Sequence, residues 1–183
     1  PLDNSTARGD LERMVQSIAD GKEAGILSEA GCPALADPGS NLARLAQERG
    51  IRVAPLTGPS SITLALIASG LETQRFTFLG YLPVKPPARD QAIHSLEARS
   101  ARNRETQIFI ETPYRNTAIL DALLSACRPE TLLCIASNLT MEDESVLTRP
   151  ISAWRRARPS LEKKPCVFLV LAQFETARQK HSR

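Results

Sequence analysis

Residues 24–39 read AGILSEAGCPALADPG. A short apolar run, Ala24 to Leu27, gives way to a loop of small residues, glycine and proline. Residues 40–49 then carry a helical pattern, with Ser40 placed to cap it and Gly50 to end it. An apolar run too short for a helix, then a Gly/Pro turn, then a helix, reads as a buried strand feeding a crossover. The same unit recurs. Ile51 to Leu56 alternates as a strand does, and Thr57-Gly58-Pro59-Ser60-Ser61 turns the chain with proline placed to open a helix. Residues 61–69 are apolar on nearly every side, the pattern of a buried helix ended by Gly70. Further on, Thr106 to Ile110 is a strand and Glu111-Thr112-Pro113-Tyr114-Arg115 a turn in which Pro113 opens a helix. In that helix Leu120, Leu123, Leu124 and Cys127 form a stripe. Strands alternating with helices predict an α/β protein with largely parallel pairing.

The remaining segments fit this frame. Leu11, Met14, Val15 and Ile18 make residues 6–20 an amphipathic helix, capped by Ser5 or Thr6 and ended by Gly21. Phe76 to Leu79 begins a strand, and residues 82–87 (LPVKPP) form the best linker or loop by composition. Residues 88–104 are a charged helix, Thr131 to Ala136 a strand, 150–158 a short basic helix and Cys166 to Leu171 a last apolar strand. The polar tail 175–183 is expected to fray. A division near residue 75 separates an N-terminal α/β domain, 1–74, from a C-terminal α/β domain, 75–183.

The 183 residues are 42% hydrophobic and 23% charged, which suffices for a core without disulfides. The net charge of +3 neither demands nor forbids a nucleic-acid partner. Four cysteines, Cys32, Cys127, Cys134 and Cys166, form no CxxC pair and stand beside only two histidines, so no metal site is expected. Free, mostly buried thiols fit the cytoplasm. No apolar run approaches the roughly 20 residues that cross a bilayer, and no membrane partner is expected. The chain opens in polar sequence on Pro1, not Met, so its true N-terminus is expected to lie upstream.

In open α/β sheets ligands bind beyond the carboxyl ends of strands. Residues 28–39, 57–61 and 111–115 occupy that position. The first lets a ligand approach the backbone closely, the second offers hydroxyls and amides at a helix start, and the third gathers a carboxylate, an aromatic ring and a guanidinium. Each also has a plainer reading: structural punctuation, an ordinary helix start, and an i,i+4 ion pair between Glu111 and Arg115. No Walker A or G-x-G-x-x-G sequence is present, so these residues by themselves indicate a small-ligand site at strand ends and no more.

SEAGCPALADPG (28–39), LTGPSSITLALIASGL (56–71), FTFLGYLPVK (76–85), IFIETPYRN (108–116) and NLTMEDE (138–144) follow one another in a distinctive order and spacing. They closely resemble the second half to two-thirds of the ribosomal RNA small-subunit methyltransferase I family, within the tetrapyrrole (corrin/porphyrin) methylase superfamily. The resemblance implies a two-domain α/β fold, a cleft between the domains for S-adenosyl-L-methionine, metal-free methyl transfer, and commonly a homodimer. In that branch the acceptor is a ribose 2′-hydroxyl in small-subunit ribosomal RNA. Sister branches methylate tetrapyrrole ring carbons or a diphthine precursor. Members begin with a further strand and a Pro/Gly-rich loop, so the N-terminal domain is expected to be incomplete, and a non-catalytic remnant is a further reading. Met141 stands where many members have Lys, and Glu29 and Cys32 replace the commoner Asp and Thr, which suggests a side branch.

Carried over by position, the resemblance implies that Gly31, Cys32 and Pro33 line the cofactor, with Ser60 and Ser61 beside it. Glu111 borders the cleft from the second domain, and Asn138, Leu139 and the backbone near Pro165 complete the pocket. Tyr114 and Arg115 fall on the substrate side or are structural. A ribose acceptor calls for a general base, for which Glu111 and Glu29 are the candidates, against a structural role for each. An RNA substrate needs phosphate contacts. Arg99, Arg102 and Arg104 cluster, as do Arg149, Arg155, Arg156, Arg158, Lys163 and Lys164 around Trp154; the plainer reading is a solvated basic face.

Overall fold

The computed structural model describes residues 1–173, so the tail at 175–183 lies outside the described residues. The chain falls into two compact units, Pro1–Ser60 and the chain from Ser61 onward. The sequence division near 75 differs because residues 61–74 go with the second unit. Ile62, Ala65, Leu66 and Leu71 are buried on its sheet.

In the first unit, helix α1 (Arg8–Ala19) buries Leu11 and Val15, two members of its apolar stripe. It packs on α2 (Ser40–Glu48), which buries Ala46. Arg49 donates to Gln16 Oε1 at 3.0 Å across the pair. The residue before α2 is Gly39 at φ 139°, where an added Cβ would lie 3.2 Å from the Cβ of Ala34. Close packing and backbone sign both require glycine there. Neither 24–27 nor 51–56 joins a ladder among the described residues, and Leu27 and Leu56 are 93% and 90% exposed. The two predicted strands are therefore corrected to irregular segments. Short runs without a sheet to join bury too little to hold as strands.

The second unit contains α3 (Ser61–Ala68), β1 (Phe76–Tyr81), α4 (Ala88–Asn103), β2 (Thr106–Glu111), α5 (Asn116–Ala126), β3 (Leu132–Ser137), β4 (Ser145–Pro150), α6 (Ile151–Arg156) and β5 (Cys166–Leu171). Its five strands run in the order β1-β2-β5-β3-β4. Among the described residues only β1 and β2 pair in parallel. β5 is antiparallel to both β2 and β3, and β3 to β4. The expectation of largely parallel pairing is thus corrected. That expectation rests on strands alternating with helices, which does not fix direction: β3 and β4 are joined by a short loop, and β5 inserts between β2 and β3 antiparallel to both.

One face packs under α4, α5 and α6 through Phe109, Leu133, Ile135, Phe168 and Val170. The other packs under α3 through Ile108, Cys134, Ala136, Val167 and Leu169. Alternate residues of each strand divide between the two cores, as period 2 demands. Phe109 and Phe168 are register partners on β2 and β5, and their rings stack with centroids 5.3 Å apart.

In the basic stretch around α6 the tryptophan is buried, while Arg149, Arg155, Arg156, Arg158 and Lys163 are exposed and three of these arginines make contacts within the fold. Trp154 is 2% exposed and donates Nε1–H to Leu133 O at 2.8 Å, and the Arg149 guanidinium lies 5.2 Å from its ring centroid. Arg158 pairs with Asp121 at 2.6 Å. Arg155 donates to Leu124 O at 2.8 Å and Cys127 O at 3.0 Å, satisfying carbonyls at the end of α5. Arg155→Ala is expected to lower the unfolding free energy by about 1 kcal/mol in denaturant titration. Arg155→Lys should recover only part of that, because an ammonium lacks the fork that spans two carbonyls.

Candidate functional site

In the first unit the loop 28–39 folds back on the turn that precedes Ser60. The Cys32 thiol lies 3.3 Å from Pro59 O and 3.6 Å from Gly58 O. Leu35 N–H donates to Cys32 O at 3.3 Å, and Ser28 Oγ to Ala30 O at 2.9 Å. Gly31, Ala34 and Ala36 all have positive φ, at 74°, 65° and 58°. Two alanines in this region are unusual, since each L residue there is strained by roughly 1–2 kcal/mol. A Cβ added at Gly31 would meet nothing within 4 Å, so its backbone is open to close approach. Pro33 and Glu29 on the same loop are exposed, while Ser60 is 6% exposed. Ser61 is exposed at the first position of α3, in the second unit.

In the second unit the register brings the other expected residues to one end of the sheet. Glu111 pairs with Cys166, and Cys166 pairs with Ser137. Glu111, Pro165 and Asn138 therefore terminate three adjacent strands side by side, and Asn138 N–H donates to Pro165 O at 3.0 Å. Leu139, half-buried, packs on the α3-side core.

Glu111 has a 4% exposed side chain. Its Oε1 accepts from Thr112 N at 2.6 Å, Arg115 Nε at 2.8 Å and Arg115 Nη2 at 2.5 Å. The carboxylate thus fixes the turn and aims Arg115. Arg115 N–H donates to Thr112 O at 2.9 Å, so α5 begins at Asn116, later than Pro113 suggested.

The loop after β3 is held by contacts the sequence did not show. Asn138 has φ 50° and Thr140 φ 68°. Asn138 Nδ2 donates to Asp143 Oδ2 at 2.7 Å, and Lys164 Nζ lies 3.3 Å from the same oxygen. Thr140 N–H donates to Glu144 Oε2 at 2.6 Å. Asn116, fully buried, donates to Lys164 O at 2.7 Å and to Leu161 O at 3.3 Å. The polar run after Asn138 was a legible turn signal, but a contact across 48 residues was not.

Burial pushes the Cys127 thiol up to about 12, with the nearby Glu97 charge adding to it, and Cys166 up to about 11; Cys134 is raised in the same way. Cys32 is the one cysteine that is not buried.

Comparison with known proteins follows the same lines. The model of the family described as Tetrapyrrole (Corrin/Porphyrin) Methylases matches residues 4–153. The chain is 38% identical over 136 residues to the ribosomal RNA small subunit methyltransferase I of Xylella fastidiosa, covering 74% of this chain and 48% of that protein. It is 32% identical over 162 residues to the protein of the same name from Escherichia coli O157:H7, covering 87% and 55%. The chain thus spans about half the length of these curated relatives. Among solved structures, the methyltransferase CobJ superposes with a TM-score of 0.61 at 20% identity, covering 94% of this chain and 74% of that one. Uroporphyrin-III C-methyltransferase from Thermus thermophilus, complexed with S-adenosylhomocysteine, gives 0.51 at 16%, covering 90% and 73%. At these identities the likeness is one of fold.

The Asp143 carboxyl is held below its ordinary value, first by the hydrogen bond from Asn138 and then by that from Lys164. A carboxyl lowered in the folded state contributes stability that is present above its unfolded pKa and lost as pH falls through the folded one. In thermal melts, wild type should exceed Asp143→Asn above about pH 4, and the gap should close in stronger acid. A gap independent of pH would remove the charge from this account.

Proposed function

Because the chain belongs to the tetrapyrrole (corrin/porphyrin) methylase family, we propose that it serves an S-adenosyl-L-methionine-dependent transfer of a methyl group to a ribose 2′-hydroxyl of small-subunit ribosomal RNA. The observation that carries this reading is the loop 28–39. It is the loop that the sequence resemblance implies lines the cofactor, its backbone at Gly31 is open, and Cys32 fastens it to the turn before Ser60. The relatives named for ribosomal RNA are 30–38% identical, and the fold-level matches named for precorrin and uroporphyrin are 16–18% identical. That difference favours RNA over a tetrapyrrole as acceptor.

Gly31, Cys32, Pro33 and Ser60 in the first unit, and Ser61, Glu111, Asn138, Leu139 and Pro165 in the second, are proposed as cofactor-binding residues. Small residues, outward backbone groups and left-handed turns suit a ligand bound mainly through main-chain N–H and C=O groups. The cofactor supplies an electrophilic methyl on a sulfonium, and its transfer is an in-line displacement. The protein's contribution is alignment and exclusion of water, for which positioning is worth up to roughly 7–11 kcal/mol. A neutral hydroxyl also needs a base. Glu111 already accepts three hydrogen bonds on one oxygen and orients Arg115, so Glu29, exposed on the cofactor loop, is the better placed of the two carboxylates for proton removal. A homodimer and a cytoplasmic setting belong to the same reading; no helix among the described residues is long and apolar enough to cross a membrane.

Alkylation of the native chain with iodoacetamide should modify Cys32 well ahead of the three buried thiols, and S-adenosylhomocysteine should slow it. Equal rates with and without S-adenosylhomocysteine would remove Cys32 from the cofactor site. With small ribosomal subunits as acceptor, Glu29→Gln should lower kcat at least tenfold while leaving S-adenosylhomocysteine affinity unchanged. Glu111→Gln should weaken that affinity by releasing Arg115. Full turnover in Glu29→Gln would exclude it as the base.

A further inference from the structure

The two tyrosines of this chain lie at one end of one strand pair. β1 and β2 are parallel, so their carboxyl ends share an end of the sheet. β1 terminates in Tyr81, whose register partner is Ile110; the turn that follows β2 carries Tyr114. Tyr81 is 55% exposed and Tyr114 87%. Other large aromatic side chains are placed differently. Trp154, Phe109 and Phe168 are in the core, and Phe76, half exposed, is at the opposite end of β1.

The exposure of Tyr81 follows from a register irregularity. Phe78 pairs with Ile108 and Tyr81 with Ile110, so three steps on β1 match two on β2. The extra residue falls at Leu79 and Gly80, and Gly80 has φ 69°. With unbroken register Gly80 would oppose Ile110. The bulge puts a tyrosine there and turns the strand end, as bulges beside functional sites do. At Tyr114 the backbone is fixed instead by the Arg115 to Thr112 turn and by the Glu111–Arg115 ion pair. The charges nearby suit a polyanion. Lys85 is exposed four residues beyond Tyr81, Arg115 is 35% exposed beside Tyr114, and the one carboxylate in that turn is buried against Arg115.

We propose that Tyr81 and Tyr114 form a stacking platform for unpaired bases of an RNA substrate, with Lys85 and Arg115 meeting its phosphates. The proposal rests on the reading of RNA as acceptor and says where that RNA lies on the second unit. Each base has a π-face, so stacking tolerates sequence, while phosphate contacts make the affinity depend on salt.

Fluorescence anisotropy with a fluorescein-labelled single-stranded RNA of about a dozen nucleotides tests it at low and moderate salt. Tyr114→Ala should weaken binding about tenfold and Tyr114→Trp should preserve it. Tyr81→Ala should weaken it similarly. Gly80→Ala, which keeps both rings but strains the bulge, should give a smaller loss. Circular dichroism establishes that each variant folds, and Tyr114, on the surface, can be changed without disturbing a core. Wild-type affinity in both alanine variants would overturn the platform and leave RNA as the acceptor. No binding of this RNA by the wild type would overturn the platform and the acceptor reading together, whereas S-adenosylhomocysteine binding would be unaffected.

Discussion

β5 is hydrogen-bonded along both edges and covered on both faces, and the arrangement of the second unit depends on it. It is the third of five strands and runs against both neighbours. A strand so placed has little freedom to slip, because moving by one residue would exchange Phe168 and Val170 for Val167 and Leu169 between two differently shaped cores. Fixing that register also fixes function-bearing positions. Glu111, Pro165 and Asn138 come from segments far apart in sequence, and only the pairing of Cys166 with both Glu111 and Ser137 makes them neighbours.

How much of this was readable beforehand depends on the range of the interaction involved. Helices α1 to α4 and strands β1, β2, β3 and β5 were legible to within a few residues, because period 3.6 and apolar runs are local signals. β4 was missed: SVLTRP carries an arginine and a terminal proline, follows an acidic turn, and sits at the sheet edge where burial is partial. Strand direction was misread because the alternation of strands with helices does not record how strands distant in sequence will pair. The segments 24–27 and 51–56 have strand-like composition, yet composition cannot supply a ladder partner.

The candidate site was legible as a set of loops and illegible as a network. Small residues at 28–39 and the ETPYR turn were visible as text, and so was the Glu111–Arg115 spacing. The roles of Asp143, Lys164 and Asn116 were not, since each acts through a partner at a distance that only folding supplies. For the cluster around Trp154 the sequence left phosphate contacts and a solvated basic face both open; α6 turns the indole inward, and Arg155 donates to helix carbonyls. Of the six non-glycine residues at positive φ among the described residues, Ala34, Ala36, Asn138 and Thr140 lie in the candidate-site loops, Lys163 precedes β5 and Arg104 caps α4. Strain of that kind persists where surrounding contacts over-determine the chain.

The burial of Trp154 also decides what spectroscopy can see. It is the sole tryptophan, and residues 1–60 contain no tryptophan, tyrosine or phenylalanine at all. Intrinsic emission and near-ultraviolet dichroism accordingly watch the five-stranded sheet and its helices. The α1–α2 unit is dark to both, and its melting registers only through the backbone amides in the far ultraviolet.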